Sequence, residues 1–368
     1  MALAIAPYTE EWQPAVRAFN QRLAEGGIGF QFPDPDACTS QDTMPIVHRG
    51  FVAVQDGESV RGGYLVQEQD FLIDAQRRRL AYLHLPLSEG LIDRRYSTLG
   101  VQLILHALKR QPLMFGLGIG GHDEAFARLV LALGWKMEPV PFLVKVLRPS
   151  RVARGLTALR GTPLRRLAGD AAAMTGVAAL GAWLLQHRGV VRNPTSRGEW
   201  VSSDVFDAAA DPLWEHHRQH YRLIASRDAA SLRQLYPAHQ QRFLRWIHTS
   251  ANGPVGWAVA LDTQMSDHRH FGDLRVGTIV DAFGDPAAAP DLIAGLSQAL
   301  AARNVDLIVS NQSSRLWVDS FRRAGFSSGP SNFLFAASPA LARELGPIRD
   351  GMPRFHLTRG DGDGPIHL

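Results

Sequence analysis

The sequence is poor in the features that would assign it at a glance. It has one cysteine, Cys38, in 368 residues. A single thiol excludes an internal disulfide framework and any metal site built on cysteines. It also favours a reducing compartment, and a cytoplasmic protein is expected. No apolar run reaches the roughly 18–20 residues needed to cross a bilayer. The stretch 171–185 is small and apolar, but it is shorter than that and has Asp170 and Gln186 at its edges. The opening Ala2-Leu3-Ala4-Ile5-Ala6 is too short for the apolar centre of a signal peptide. An excess of one charge is missing too: 39 Lys and Arg against 35 Asp and Glu leave +4. That balance suits a small anionic ligand and gives no reason to expect nucleic acid. His216-His217 and His268/His270 have no third ligand at a telling spacing, so they read as surface and no metal is expected.

What remains is an ordinary globular composition, 45% hydrophobic and 20% charged, in a chain long enough for two domains. The most informative stretch runs from Arg79 to Gly100. The apolar run 80–85 reads as a buried strand that breaks at Pro86, and a polar loop then leads to a helix over 101–109. The first amides of a helix lack partners and carry the positive end of its dipole, so a loop entering a helix there is an anion-binding geometry. Arg94 and Arg95 add formal charge just ahead of it.

The surrounding order is regular. A strand over 2–6 precedes a helix with Trp12, Ala15, Val16, Phe19 and Leu23 on one face. A hairpin turns at Asp56-Gly57. After the loop helix come a strand over 112–118, a helix over 124–133 and a closing strand over 142–147. A similar order recurs later: strands over 256–261 and 275–281, a helix over 290–303, a strand over 306–310, a helix over 314–323 and a closing strand over 333–336.

The segment Arg95-Tyr96-Ser97-Thr98-Leu99-Gly100 resembles the R/Q-x-x-G-x-G/A pyrophosphate loop of the GNAT superfamily of N-acetyltransferases, with Thr98 in place of the middle glycine. The element order resembles the whole domain of that family. The resemblance implies an α/β fold with mixed sheets, as two tandem GNAT-like domains. The first, 1–148, would carry the acyl-CoA loop. A basic and apolar linker, 149–199, would lead to a degenerate second domain, 200–340, and a tail, 341–368. In the second domain the corresponding loop has no Arg or Gln, and Asp285 opposes a phosphate electrostatically. The linker, with Arg160, Arg165 and Arg166, reads as a bridging helix. The competing reading is peripheral contact with anionic lipid through 165–187.

The implied activity is transfer of an acyl group from acetyl-CoA or another acyl-CoA to a small-molecule amine. The implied cofactor contacts are Arg94, Arg95, Tyr96, Ser97, Thr98, Leu99 and Gly100 for the diphosphate. The backbone at Leu85 and Leu87 would serve the pantetheine. Many family members have a tyrosine acid four residues before the glycine that ends the last helix; here those positions are Val130 and Phe321. Tyr82 and Tyr96 are the substitutes, with water as the alternative. Candidate bases are His84, Glu89 and His122; a satisfied core histidine competes for the first and a solvated carboxylate for the second. The segment from Arg227 to Tyr236 resembles FemAB-type acyltransferases, which turns the acceptor expectation toward envelope precursors. An aminoacyl-tRNA-dependent transferase and a non-catalytic CoA-binding protein are the rival expectations. The tail around Asp361 and Asp363 resembles part of a calcium loop but lacks its closing glutamate. A solvated turn is expected there, with a site for a cationic amine as the alternative.

Overall fold

The computed structural model describes residues 3–35, 40–155, 199–251, 253–268 and 270–362. Cys38, the linker residues 156–198 with the expected membrane contact through 165–187, and Asp363 lie outside the described residues. In chain order the first part runs β1 (Leu3–Pro7), α1 (Gln13–Glu25), β2 (Ile46–Gln55), β3 (Ser59–Ile73), β4 (Gln76–Ser88), α2 (Leu99–Arg110), β5 (Met114–Leu117), α3 (Ala125–Ala132) and β6 (Lys136–Pro139). Next come β7 (Phe142–Val146), α4 (Pro149–Gly155), β8 (Glu199–Ser202), α5 (Ala210–His217), β9 (Leu223–Ala225), α6 (Ala229–Leu235), β10 (Leu244–Ser250) and β11 (Gly253–Gln264). The chain continues through β12 (Arg275–Gly284), α7 (Ala289–Ala302), β13 (Leu307–Asn311), α8 (Arg315–Arg323) and β14 (Ser327–Gly329). It ends with β15 (Leu334–Ala337), α9 (Pro339–Leu345), α10 (Ile348–Gly351) and β16 (Phe355–His356).

The chain forms two compact units, and their boundaries differ from a simple division near residues 148 and 200. The first holds Met1–Glu138 with Leu334–Arg349; the second holds Pro139–Phe333 with Asp350–Leu368. The difference is a strand exchange. Strand β7, which the sequence order assigns to the close of the first half, pairs with β13 in the second unit's sheet, Val144 opposite Val309. Strand β15 instead pairs with β5 in the first, Ala336 opposite Gly116. Both are short apolar segments after a helix, and neither carries a local signal for one partner over the other.

The first unit's sheet has the order β1-β2-β3-β4-β5-β15-β6. Successive residues of β2 point to opposite faces, as the pleat requires. Val52 and Val54 pack with α1 through Val16, Phe19 and Leu23. Phe51 and Ala53 pack on the other face with α2 through Leu99, Leu103, Ile104 and Ala107. The spacing of those helical residues explains why each helix forms where it does, and each fully buried Leu or Phe on the stripe contributes about 1.5–3 kcal/mol. Helix α1 stops at Gly26-Gly27, where Gly27 takes φ 83° and Ile28 N donates back to Leu23 O.

The second unit's sheet has the order β14-β7-β13-β12-β11-β10-β8. Helix α7 is buried on most sides, from Ala289 through Leu292 and Ile293 to Leu300. Among the described residues no helix is long and apolar enough to cross a membrane, and no group of three His, Cys, Asp or Glu is placed to hold a metal.

Candidate functional site

The site is built on β4. Its register with β3 runs Leu65 opposite His84, then Gly63 opposite Leu87. Leu85 and Pro86 therefore face the single residue Tyr64, a β-bulge that bends the strand. Leu85 takes φ 47°, a left-handed backbone that a leucine adopts only under constraint. On its other side β4 runs parallel to β5 with Ala81 opposite Met114 and Tyr82 opposite Phe115. Among the described residues that pairing ends there, while β4 continues to Ser88. The two strands thus part just before the bulge, which puts Leu83, Leu85 and Leu87 on the unpaired length.

Beyond the parting lies the loop to α2. Asp93 caps a short 3-10 turn, Arg94–Tyr96, by accepting a hydrogen bond from Arg95 N. The same carboxylate holds the Arg95 side chain, with Nη2 at 2.6 Å and Nε at 2.9 Å from Oδ2. Hydrogen bonds from Arg95 draw the Asp93 carboxyl below its usual range. Arg94 is exposed and has no ion pair among the described residues, so it is the more available cation of the two. Thr98 precedes α2 and makes no side-chain cap. Gln102 N donates to Thr98 O, the first bond of the helix. The amides of the first turn keep their usual vacancy. Ser97 and Thr98 are exposed, and Leu99 anchors the helix in the core. A Cβ on Gly100 would meet only ordinary contacts, Leu129 at 3.6 Å and Ser88 Oγ at 3.8 Å.

A polar cluster braces this loop. Glu89 is buried, not solvated. Its Oε1 accepts from Arg22 Nε at 2.6 Å and its Oε2 from Arg61 Nη1 at 2.9 Å. Arg61 Nε and the Tyr96 hydroxyl both donate to Gln55 Oε1 at 2.8 Å. A carboxylate gripped by two guanidinium groups is a brace, and deprotonating an amine would require breaking one grip. Arg22 and Arg61 are far from Glu89 in sequence, so no local pattern announces them.

Tyr82 is buried and its hydroxyl donates to Leu117 O at 3.2 Å, across to β5. His84 is half-buried, two residues on and on the same face, with its ring 5.8 Å from that of Tyr82. The register adds a histidine that the sequence does not single out. His48 lies opposite Gln67, and Gln67 opposite Tyr82, so His48, Gln67, Tyr82 and His84 share one face of three strands. Burial, and after it the charge of His84, holds the His48 imidazole below its usual pKa. His122 is exposed in the turn ahead of α3, whose N-cap position is Glu124. Val130, at the family's tyrosine position, is core.

The second unit repeats the bulge and fills the gap. Val259 lies opposite Asp281 and Ala260 opposite Ile279, so Val280 is the extra residue of β12. Strands β12 and β13 pair in parallel from Val276/Leu307 to Ile279/Ser310, after which β12 runs on to Gly284. The chain's own tail occupies the space between them. The His356 ring hydrogen-bonds Ala282 O at 3.0 Å through Nε2, Ser313 N donates to Leu357 O at 3.1 Å, and Gln312 bridges to Thr358. Below lies a fully buried ion cluster. Arg227 Nε donates to Asp281 Oδ2 at 2.8 Å and Nη2 to Asp361 Oδ1 at 2.5 Å, while the Tyr236 hydroxyl donates to Asp281 Oδ2 at 2.9 Å. Asp361 is therefore neither solvated nor open to an amine. At the loop before α7 the Asp285 carboxylate accepts from Ala287 N at 2.8 Å, taking an amide that a phosphate would use. Phe321, the second tyrosine position, is buried.

Searches of the sequence against family models and against curated proteins find no match. Solved structures do match. One is a probable N-acyltransferase from Enterococcus faecalis, with TM-score 0.53 and 10% identity over 91% of this chain and 72% of that one. A second is a GCN5-related N-acetyltransferase from Anabaena variabilis, with TM-score 0.52 and 11% identity over 91% of this chain and 72% of that one. A third is the N-myristoyltransferase of Saccharomyces cerevisiae with bound myristoyl-CoA and inhibitors, with TM-score 0.51 and 10% identity over 91% and 79%. At such identities the likeness is one of fold: this chain is a mixed α/β protein with the fold of the GCN5-related N-acyltransferases over nine-tenths of its length.

Proposed function

We propose that the protein is an acyltransferase that moves an acyl group from acyl-CoA to the amine of a small molecule, with the first unit binding the thioester. One observation carries this reading. Helix α2 begins without a side-chain cap at Thr98, directly after the strand β4 that bends at Leu85-Pro86 and parts from β5. In the proposal the diphosphate takes the first-turn amides with help from Arg94. The pantetheine lies along the unpaired length of β4 through the backbone of Leu85 and Leu87, and the thioester oxygen is polarised by a β4 amide.

His84 is the proposed base. It takes a proton from the ammonium of the acceptor, whose nitrogen lone pair then attacks the thioester carbon. The C–S bond breaks, the attacking nitrogen loses its second proton to water to leave an amide, and the thiolate takes a proton. Tyr82 and Tyr96 both donate to other acceptors, so water is the proposed source of that last proton. The fold is shared with an enzyme crystallised with myristoyl-CoA, which makes chain length part of the test. An envelope or polysaccharide precursor is the acceptor class to try first.

Titration calorimetry with acetyl-CoA and longer acyl-CoAs tests the proposal, followed by thiol release with a panel of amines. Binding by at least one thioester and amine-dependent free thiol are expected. No binding by any of them rejects it. The engaged state of Glu89, Tyr82 and Tyr96 favours a second reading, a protein that binds CoA without catalysis; binding with no thiol release from any amine would select it. An aminoacyl-tRNA-dependent transferase would instead bind charged tRNA and ignore acetyl-CoA.

A further inference from the structure

Two arginines of the second unit meet the turn Arg359–Asp361, and among the described residues only one of them has a counter-ion. Arg227 is fully buried and lies between the carboxylates of Asp281 and Asp361. Arg359 is two residues from Asp361 and is treated differently. Its Nε is closed off from solvent and has no hydrogen-bond partner. Among the described residues its guanidinium makes no ion pair; what lies against it is the ring of Phe333, 5.5 Å from Cζ. A ring face recovers only a small part of what a guanidinium loses on leaving water. Burial, unopposed by any carboxylate, pulls the Arg359 pKa down to about 10.

The backbone does not let this side chain escape. Thr358 N donates to Asp361 Oδ2 at 2.8 Å and Gly360 N to Thr358 Oγ1 at 3.1 Å, which locks the turn. Asp361 is itself tied to Arg227 through its other oxygen. Gly360 is pressed so closely on Tyr236 that a Cβ there would come within 2.0 Å of the hydroxyl. A rigid turn therefore holds a half-buried guanidinium, its Nε shut off from water, with no carboxylate paired to it among the described residues. A partly desolvated charge without a counter-ion is costly, and a ligand that supplies the opposite charge would remove the cost.

We infer that Arg359 is the centre of an oxyanion-binding site, one that takes a carboxylate or a phosphate group.

Thermal unfolding of the full chain at fixed ionic strength, titrated with inorganic phosphate and separately with acetate, tests the site itself. The wild-type midpoint should rise with at least one of the two. Arg359→Met and Arg359→Gln should each weaken that response by about ten-fold or more, the loss expected for a charge-assisted pair. Without added anion, Arg359→Met should unfold at or close to the wild-type temperature, because it removes an unpaired, half-buried charge. A folded Met or Gln variant that responds to both anions as the wild type does overturns the inference, and so does a wild type that responds to neither. The anion titration needs no thioester, so failure to bind acyl-CoA would reject the acyltransferase reading and leave this site separately measurable.

Discussion

The two units open a sheet at the same place and finish it differently. In each, a bulged strand, β4 or β12, leaves its parallel neighbour partway along. Parted strands expose backbone groups that must be met by something. In the second unit the tail meets them through His356, Leu357 and Thr358, and the buried cluster of Arg227, Asp281 and Asp361 holds the tail in place. In the first unit the Tyr82 hydroxyl donates across to Leu117 O, set back where the strands are still paired. The helix heads differ in the same sense. The approach to α2 carries an exposed Arg94 and no side-chain cap, while the approach to α7 carries Asp285 folded onto a loop amide. In the proposed reading one sheet keeps this space for a ligand, while the other fills it with the chain's own tail.

The comparison breaks most visibly in the plugged unit. Asp281→Ala leaves Arg227 with one carboxylate and Tyr236 without its acceptor, so a loss of about 3–5 kcal/mol is expected in chemical denaturation. A loss under about 1 kcal/mol would mean that the cluster does not hold the tail. In the open unit, Arg94→Ala should weaken acyl-CoA binding by about 1–3 kcal/mol by calorimetry. Arg95→Ala should cost less, because Asp93 already occupies that guanidinium; the reverse ranking would show that the ligand pulls Arg95 away from Asp93.

A smaller effect concerns pH. Burial holds the His356 imidazole below its ordinary 6.5. The unfolded chain therefore takes up a proton there that the folded chain refuses. The associated stability is complete above about pH 6.5 and declines as pH falls toward the folded value. Urea melts between pH 7 and pH 5 should show that decline, and His356→Gln should make it shallower. An unchanged slope would remove His356 from the plug's electrostatics. Smallest of all is Gly100→Ala, where the new methyl meets only ordinary contacts. Stability and acyl-CoA affinity should both stay within about 0.5 kcal/mol.

Much of the first unit is legible from sequence because its signals are local. The stripe Val16, Phe19, Leu23 and the apolar run from Val101 each write a helix, although α2 begins at Leu99; Pro86 marks a bulge and not the expected end of the strand, since β4 runs on to Ser88. The loop before α2 is also visible. What is hidden depends on distant partners. Strands β7 and β15 are interchangeable by composition, and only pairing across the chain decides which sheet each enters. Glu89 looks like a free carboxylate until Arg22 and Arg61 close on it. His48 enters the picture only through the register of β2 on β3. Asp361 reads as part of a solvated turn because its counter-ion, Arg227, lies far back in the sequence.

The most direct test is titration of acyl-CoA into the wild type and into Thr98→Asp. A carboxylate at that position favours the helix dipole while opposing a diphosphate, so it separates folding from binding. One equivalent is expected to bind the wild type, with binding lost in Thr98→Asp at unchanged or slightly raised thermal stability. Undiminished binding by Thr98→Asp, or two equivalents in the wild type, would contradict the assignment of the thioester to the first unit alone.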